Sequence, residues 1–432
     1  MSRRLLCSLA LASLVSLPLY GDEWSRYWPT WRGPTGNGVA PLAHPPLTWS
    51  ETENVRWKVE IPGLGLSSPI VWEDRVFLTS AAPIGEEPPG GVTSSGPAVE
   101  LEFVVLALAR DDGRTLWRRV ARTQVPHEGH HGDNSWASGS PVTDGEIVVA
   151  HFGSFGTYAY DLDGELLWAT DLGDMETRRG FGEGTSPSIA GDRVIVNWDH
   201  EGDSFIVALD KHSGEEVWRR RRPDEVTSWA TPLVVEHGGR RLAIVPATGR
   251  SRAYDVATGE EIWSLPGMTL NTIPSPVERD GVVYMTSGFR GNMLQAVALD
   301  RAHGDLTSSP AVLWTFDRDT PYVASPLLYG DLLYFVKRLD NILTCLDADT
   351  GEIVYDRVRI ADVDNVWSSP VGADGRIYVT GRDGTTVVLE HGREYRVLAV
   401  NRIDDRVDAT PALVDGEVYL RGRDYLYAIA VD

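Results

Sequence analysis

Cysteine and lysine are both scarce in this sequence. Of its 2 cysteines, Cys7 falls in an N-terminal stretch that reads as an export signal, so Cys345 would be the sole thiol of the exported chain. A disulfide within one chain is therefore excluded. Lysine occurs only at Lys58, Lys211 and Lys337, and the formal net charge is −22. Because neutralising phosphates requires an excess of cations, this balance argues against a nucleic-acid binder, and it is typical of a soluble exported protein.

The sequence also lacks a long apolar run after its first residues. Residues 1–21 combine two arginines, an apolar stretch and a closing glycine, which predicts a signal peptide and hence export to the periplasm or cell envelope, or out of the cell. No later run of 18 apolar residues occurs, so we predict no transmembrane span. Residues 22–53 are predicted to be an N-terminal extension that precedes the folded domain.

Sequence motifs of the common enzyme classes are missing as well. We find no G-x-S-x-G elbow, P-loop, Rossmann fingerprint or EF-hand loop. Residues 127–131, HEGHH, match the zinc-protease pattern H-E-x-x-H, but Pro126 and Gly129 predict a loop where that chemistry requires a helix. We therefore expect no catalytic zinc. A weaker metal or anion contact through His127, His130 and His131, or a polar lid, remains open.

A Ser-Pro or Thr-Pro pair followed by an apolar run recurs along the chain. The intervals are 41 to 50 residues, except for a first interval of 72 that contains a loop-like insertion at residues 84–100. Each unit reads as four short strands, and several close on a hairpin such as DKHSGEEVW with glycine where positive φ is needed. The motif prolines are Pro69, Pro141, Pro187, Pro232, Pro276, Pro326, Pro370 and Pro411.

Tryptophans mark the last strand of most units. They are Trp117, Trp168, Trp218, Trp263 and Trp314, with Tyr355 and Val397 in the next two positions. The eighth unit ends after three strands, whereas Trp57 precedes the first Ser-Pro pair. We therefore predict an all-β, eight-bladed propeller over residues 54–432, closed by the strand around Trp57 as the fourth strand of the last blade. The tryptophans are interpreted as packing between blades.

The repeated pattern in AYDVATGEEIW and ALDKHSGEEVW resembles the quinoprotein-type (PQQ-like) propeller repeat. Quinone-dependent alcohol dehydrogenases and the non-catalytic lipoprotein B of the barrel assembly machine share this repeat. The leader YWPTWRGPTGNGVA and the segments HEGHH and GFGEGTSP look more closely like exported PQQ-like proteins of environmental bacteria. The resemblance implies the propeller fold over about residues 54–432. The enzymes are longer and carry an adjacent cysteine pair, which is absent here, so the resemblance favours the non-catalytic branch.

Two sets of residues are predicted to share one face of the disc. The connections that precede the Ser/Thr-Pro pairs would ring the channel mouth and suit a small polar ligand or a hard cation, or would act only as turn caps. The turns after the second strands carry cations that would suit carboxylate or phosphate, or would pair with neighbouring carboxylates. The first set includes Asn134, Trp136, Glu183, Trp229, Asn271, Tyr322, Asp364, Asn365 and Asp408. The second comprises Arg250, Arg290, Lys337, Arg338, Arg382 and Arg423.

These features favour a non-catalytic, exported, monomeric binding or scaffold module that uses the channel-mouth face to bind an envelope protein or a small anionic ligand. The alternative is an oxidoreductase that uses pyrroloquinoline quinone and Ca²⁺. Trp136 or Trp229 would then stack on the quinone, and Glu183, Asn271 and Asp364 would hold the cation. Fold resemblance does not choose between the two.

Overall fold

The computed structural model of the protein describes residues 23–85, 99–337 and 339–431. The predicted signal peptide, most of the insertion at 84–100 and Arg338 lie outside these residues. The described strands form eight antiparallel four-stranded sheets, one of which gains a short fifth strand that runs parallel. The predicted fold class and number of blades are confirmed. No helix of the described residues is long and apolar enough to cross a membrane.

The first four blades follow one another along the chain. Strand β1 (Val55–Glu60) precedes them. Blade 1 contains β2 (Ile70–Trp72), β3 (Arg75–Pro83), β4 (Leu101–Ala109) and β5 (Thr115–Gln124). Blade 2 contains β6 (Val142–Thr143), β7 (Ile147–His151), β8 (Thr157–Asp161) and β9 (Leu166–Thr170). Blade 3 contains β10 (Ser188–Ala190), β11 (Arg193–Trp198), β12 (Phe205–Asp210) and β13 (Glu216–Arg221). Blade 4 contains β14 (Leu233–His237), β15 (Arg240–Val245), β16 (Arg250–Asp255) and β17 (Glu261–Pro266).

The remaining blades complete the ring. Blade 5 contains β18 (Val277–Arg279), β19 (Val282–Ser287), β20 (Met293–Ala298) and β22 (Val312–Phe316), while β21 (Gly304–Asp305) joins blade 4. Blade 6 contains β23 (Leu327–Tyr329), β24 (Leu332–Lys337), β25 (Ile342–Asp347) and β26 (Ile353–Arg359). Blade 7 contains β27 (Val371–Ala373), β28 (Arg376–Thr380), β29 (Thr385–Glu390) and β30 (Val397–Arg402). Blade 8 contains β31 (Ala412–Val414), β32 (Glu417–Arg421) and β33 (Tyr425–Ala430). Short 3₁₀ helices occupy Gly153–Phe155, Arg178–Gly180 and Leu299–Arg301.

The chain's first strand closes the ring. β1 pairs antiparallel with β33, with Trp57 opposite Ala428 and Val59 opposite Leu426, so the last blade takes its outer strand from the N-terminal side of the domain. The Trp57 indole N–H donates to the carbonyl oxygen of Arg110 in blade 1 at 3.0 Å. This closure was predicted from the missing fourth strand and is confirmed.

Five pairs of a tryptophan and a turn glycine pack one blade against the next. An outer-strand tryptophan lies over the glycine of the hairpin between the third and fourth strands of the following blade, and that glycine has positive φ. A Cβ atom there would come within 2.6 to 2.7 Å of the indole ring. The pairs are Trp57 with Gly113, Trp117 with Gly164, Trp168 with Gly214, Trp218 with Gly259, and Trp314 with Gly351. Glycine is therefore required both by the backbone and by the ring above it.

A closed ring of hydrogen bonds surrounds the central channel. The Ser or Thr before each motif proline donates its backbone N–H to the hydroxyl oxygen of the equivalent residue in the next blade, at 2.9 to 3.2 Å. The last bond, from Thr410 to Ser68, returns to blade 1 at 2.9 Å. We call these eight residues the hydroxyl belt: Ser68, Ser140, Ser186, Thr231, Ser275, Ser325, Ser369 and Thr410.

Residues 23–53, here called the crossing segment, run across the face opposite the channel mouth. Trp28 exchanges two backbone hydrogen bonds with Val71 of blade 1, at 3.0 and 2.8 Å. The side chain of Asn37 bonds the backbone of Glu278 in blade 5, at 2.7 and 2.9 Å. The backbone N–H of Trp49 donates to Asn401 in blade 7 at 2.9 Å. The segment therefore ties together blades on different sides of the ring.

The packing of tryptophan on glycine predicts unequal effects of two alanine substitutions. Gly351→Ala and Gly375→Ala both place alanine at positive φ, but only Gly351 lies under an indole, since nothing is within 4 Å of a Cβ at Gly375. We expect Gly375→Ala to lower the free energy of unfolding by about 1–2 kcal/mol, and Gly351→Ala by about 1–3 kcal/mol more through overpacking. Urea denaturation measures both; equal losses would contradict this packing role.

Candidate functional site

The connections from each outer strand to the next inner strand surround one opening of the channel, as predicted. Below this opening lies the mouth cavity, with a volume of about 350 Å³. Its rim includes Asp133, Asn134, Phe181, Trp229, Asn271, Phe289, Tyr322, Trp367 and Asp408. Six hydroxyl-belt residues line it more deeply, and Trp31 of the crossing segment lines it from the opposite face. The cavity is thus the point at which most blades present a side chain.

Aromatic rings form much of the cavity wall. Phe289 and Tyr322 stack with centroids 4.8 Å apart. The indole N–H of Trp229 donates to the Gly182 carbonyl oxygen at 2.7 Å, which fixes the orientation of the ring. Asn271 has a φ of 55° and donates from its amide to the Tyr322 hydroxyl at 3.2 Å, while its own Oδ1 is buried without a hydrogen-bond partner among the described residues. The wall therefore combines fixed rings with one unused acceptor.

A group of ion pairs lies on one side of the rim. Arg382 donates to Asp133 at 2.7 Å and to Asp408 at 2.5 Å, and its guanidinium lies 4.0 Å from the Trp367 ring centroid. Arg406 donates to the second oxygen of Asp408 at 2.9 Å. These ion pairs link the loop between β5 and β6 to blade 7 and to the start of blade 8. Local charge at this part of the rim is largely compensated, so the aromatic wall dominates its chemistry.

The predicted mouth residues divide into two groups. Asn134, Trp229 and Asn271 line the mouth cavity, as do Tyr322 and Asp408. Trp136 and Glu183 instead line a separate, smaller cavity of about 20 Å³ beside Phe155. Asp364 and Asn365 do not line the mouth cavity, and the backbone of Asp364 contacts Arg382 and Asp383. Of the nine residues predicted to ring one opening, five therefore line the mouth cavity and four do not.

The predicted cationic turns are largely paired with carboxylates. Arg250 donates to Asp305 at 2.7 Å, and Lys337 contacts Asp319 at 2.9 Å and Asp340 at 3.0 Å. Arg382 belongs to the rim ion pairs. Arg290 lies 5.5 Å from the ring centroid of its neighbour Phe289. The backbone N–H of Arg423 donates to the Asp405 carboxylate at 3.1 Å, whereas its side chain forms no ion pair with a carboxylate of the described residues. None of these cations lines the mouth cavity, so they do not form one anion-binding crescent there.

The HEGHH segment is a loop between β5 and β6, as predicted. The His127 ring bonds the Met175 carbonyl oxygen at 2.9 Å, and Glu128 accepts from the backbone and hydroxyl of Thr177 at 2.9 and 2.8 Å. His130 packs edge-on against Trp136 at 4.3 Å. No group of three or more His, Cys, Asp and Glu suited to a metal occurs in residues 23–85, 99–337 and 339–431. The segment covers the smaller cavity.

Glu183 is held at the smaller cavity by Ser154. Its two carboxylate oxygens accept from the Ser154 backbone N–H at 2.7 Å and from the Ser154 hydroxyl at 2.6 Å. Burial nevertheless raises the pKa of Glu183 to about 7, because two hydrogen bonds do not offset the loss of hydration. Nearby, burial lowers the pKa of His151 to about 4, and its Nε2 has no partner among the described residues. The histidine is therefore neutral and the glutamate titrates near neutrality.

Three aromatic wall residues, Phe181, Phe289 and Trp367, were not predicted from the sequence. One regularity would have found Trp367. The third residue before every motif proline lines the mouth cavity in all eight blades: Leu66, Ser138, Gly184, Trp229, Ile273, Val323, Trp367 and Asp408. Counting back from each proline by a fixed number thus identifies one wall residue per blade, whereas Phe181 lies further from its proline and Phe289 lies in the turn between β19 and β20.

The raised pKa of Glu183 predicts a pH-dependent contribution to stability. Between its ordinary value of 4.5 and about 7, the folded state holds a proton that the unfolded state has lost. Stability from this group is therefore complete below pH 4.5 and is lost as the pH rises through about 7. Compared with Glu183→Gln, the wild type should lose on the order of 3 kcal/mol across this range. Urea denaturation at each pH measures it.

Glu165→Gln provides the control, because the Glu165 side chain is 81% exposed on a hairpin. Its free energy of unfolding should run parallel to that of the wild type at every pH. If Glu183→Gln also runs parallel to the wild type, the carboxyl group does not hold its proton in the folded state and the assignment is incorrect.

Comparison with known proteins identifies several that resemble this chain in sequence or in fold. The outer membrane protein assembly factor BamB of Shewanella oneidensis is 25% identical over 297 residues, which is 66% of this chain and 66% of that protein, just under two thirds of its length. BamB from Moraxella catarrhalis has a TM-score of 0.61 at 16% identity, covering 86% of this chain and 98% of that one. The computationally designed Ika8 protein has a TM-score of 0.58 at 12% identity, covering 88% and 100%.

The two solved structures show a shared fold at identities too low to indicate more. A match to the sequence model of one family indicates a closer relationship than a shared fold. The family described as outer membrane protein assembly factor BamB matches residues 101–357, from the third strand of blade 1 into the last strand of blade 6. Since this match spans more than half of the chain, the protein belongs to the BamB family of PQQ-like propellers.

Proposed function

We propose that this protein is an exported, non-catalytic scaffold of the cell envelope that binds a segment of an envelope protein at the mouth cavity. The observation that carries the proposal is the aromatic wall formed by Phe181, Trp229, Phe289, Tyr322 and Trp367 around one opening. Large aromatic rings that surround a recess are typical of the energetic centre of a protein interface. The rigid ring of blades holds them in place before a partner binds.

The geometry suits a protruding side chain better than a flat surface. The mouth cavity is lined by residues that precede all eight motif prolines, so an inserted apolar side chain would be surrounded on all sides. Asn271 Oδ1, an unused acceptor beside the wall, would be satisfied by one N–H or O–H of such a segment. The ion pairs of Arg382 lie at the rim, where charges influence the orientation and rate of association more than affinity.

Membership of the BamB family supports an envelope protein as the class of partner. The relative from Shewanella oneidensis is named an outer membrane protein assembly factor, and this name indicates work on envelope proteins. We extend that role to this chain only as far as the class of partner, an envelope protein. Export by the predicted signal peptide of residues 1–21 would bring the chain to that compartment.

The alternative, a quinone- and Ca²⁺-dependent oxidoreductase, is less well supported by the arrangement of its proposed ligands. Glu183 lies at the smaller cavity with both oxygens bonded to Ser154, Asn271 lies at the mouth cavity, and Asp364 lies at neither. Trp136, proposed to stack on the quinone, packs against His130 beside the smaller cavity. Trp229 and Asn271 share the mouth cavity, but Glu183 and Asp364 do not line it, which weighs against one shared quinone and cation site.

Site-specific photocrosslinking in the native host tests the scaffold proposal. Benzoylphenylalanine in place of Phe181 or Phe289 should crosslink the same envelope protein, identified by mass spectrometry. The same replacement at Leu167, which is 46% exposed on the outer strand β9, should not. Trp229→Ala should reduce the crosslink from both mouth positions, because it removes part of the shared wall. An identical product from Leu167, or none from the mouth, would refute the proposal.

Titration with pyrroloquinoline quinone and Ca²⁺ tests the alternative. We expect no change in the absorbance of the quinone and no change in the melting temperature of the protein, since the proposed ligands do not converge. Saturable binding that is lost in Glu183→Ala would reverse our preference. Glu165→Gln again serves as the control for nonspecific effects of charge.

A further inference from the structure

A second cavity lies on the face opposite the mouth, beneath the crossing segment. Its volume is about 240 Å³. One side is formed by residues 30–36 of the crossing segment, and the other by the starts of blades 2 to 5. Four motif prolines line it together with two indole rings: Pro141, Pro187, Pro232, Pro276, Trp24 and Trp31. Its walls are therefore mainly apolar and rigid.

Arg32 is the only charged residue among the described residues that line this cavity. Its side chain donates to the carbonyl oxygens of Pro326 at 2.6 Å, Pro370 at 3.2 Å and Asn37 at 3.2 Å. Arg32 is 3% exposed, its Nε has no partner, and no carboxylate within the described residues forms an ion pair with it. Burial lowers the pKa of Arg32 to about 9. The cavity thus borders a buried cation without a counter-ion.

The lack of a counter-ion at Arg32 is unusual within this molecule, whose formal net charge is −22. The fully buried Arg222 has a carboxylate partner in Asp199 at 2.7 Å, and the buried Arg252 has one in Asp224 at 2.7 Å. Arg421 resembles Arg32, since its guanidinium contacts Ser67 and the carbonyl oxygen of Thr79, but it lines none of the cavities described above. Among the buried arginines that the structure describes, only Arg32 combines a missing counter-ion with one of these cavities.

We propose that this far-face cavity binds a small organic carboxylate with an apolar body, whose charge offsets that of Arg32. A buried guanidinium without an anion retains a large desolvation cost, and a carboxylate in the adjacent low-dielectric space reduces it. The proline rings and the two indoles would contact the apolar part of the ligand. Because the cavity lies on the opposite face, the inference does not depend on partner binding at the mouth.

Calorimetric titration of the full chain with benzoate and with benzamide tests the proposal. The two probes have nearly the same shape and differ in charge. Benzoate should bind saturably, and benzamide at least tenfold more weakly. Leu233→Trp, which narrows the cavity from β14 without removing a hydrogen bond of Arg32, should abolish benzoate binding while leaving the melting temperature close to that of the wild type.

Two arginine variants separate charge from folding. Arg32→Met should lose benzoate binding, whereas Arg421→Met, which removes the other buried guanidinium without a carboxylate, should keep it. If Arg32→Met does not fold, two comparisons still test the proposal. They are benzoate with benzamide, and Leu233→Trp with the wild type. Equal affinities for benzoate and benzamide, unchanged binding in Leu233→Trp, or no benzoate binding to the wild type would each overturn the proposal.

Discussion

The hydroxyl belt is the constraint on which the rest of the molecule depends. Each blade is joined to the next by one backbone N–H and one hydroxyl oxygen at the same depth in the channel, and the eighth bond meets the first blade again. Only a residue with a short hydroxyl side chain supplies both the donor and the acceptor at this position. The following proline has no N–H to leave unpaired next to the channel. The belt therefore explains why the Ser/Thr-Pro pair recurs.

Much of the fold could be predicted because its repeated contacts use residues with few substitutes. The glycine under each tryptophan needs positive φ and has no space for a side chain, so the pattern of the hairpin is visible in the sequence. The missing fourth strand of blade 8 similarly indicated the strand around Trp57. By contrast, the path of residues 23–53 has no periodic pattern. Their position depends on single side chains such as Asn37 and Arg32, whose partners are distant in sequence.

The site was only partly predictable for a related reason. Sequence spacing located the connections that reach the mouth, but not the direction of each side chain within them. Trp229 and Asp408 precede their prolines by the same number of residues and face the cavity, whereas Glu183 and Trp136 stand at other distances and turn toward Ser154 and His130. Beyond the third residue before each proline the direction differs between blades, since Tyr322 and Glu183 stand at the same distance from their prolines but line different cavities. The two neighbouring cavities result from that difference.

Trp31 connects the two faces of the disc. Its indole lines both the mouth cavity and the cavity beneath the crossing segment, as does Thr231 of the hydroxyl belt. A molecule that pushes this ring from one side changes the space on the other. Thermodynamic linkage then requires the influence to be mutual: whatever occupancy at one face does to affinity at the other, the reverse holds by the same factor. The ring of blades itself need not move for such communication to take place.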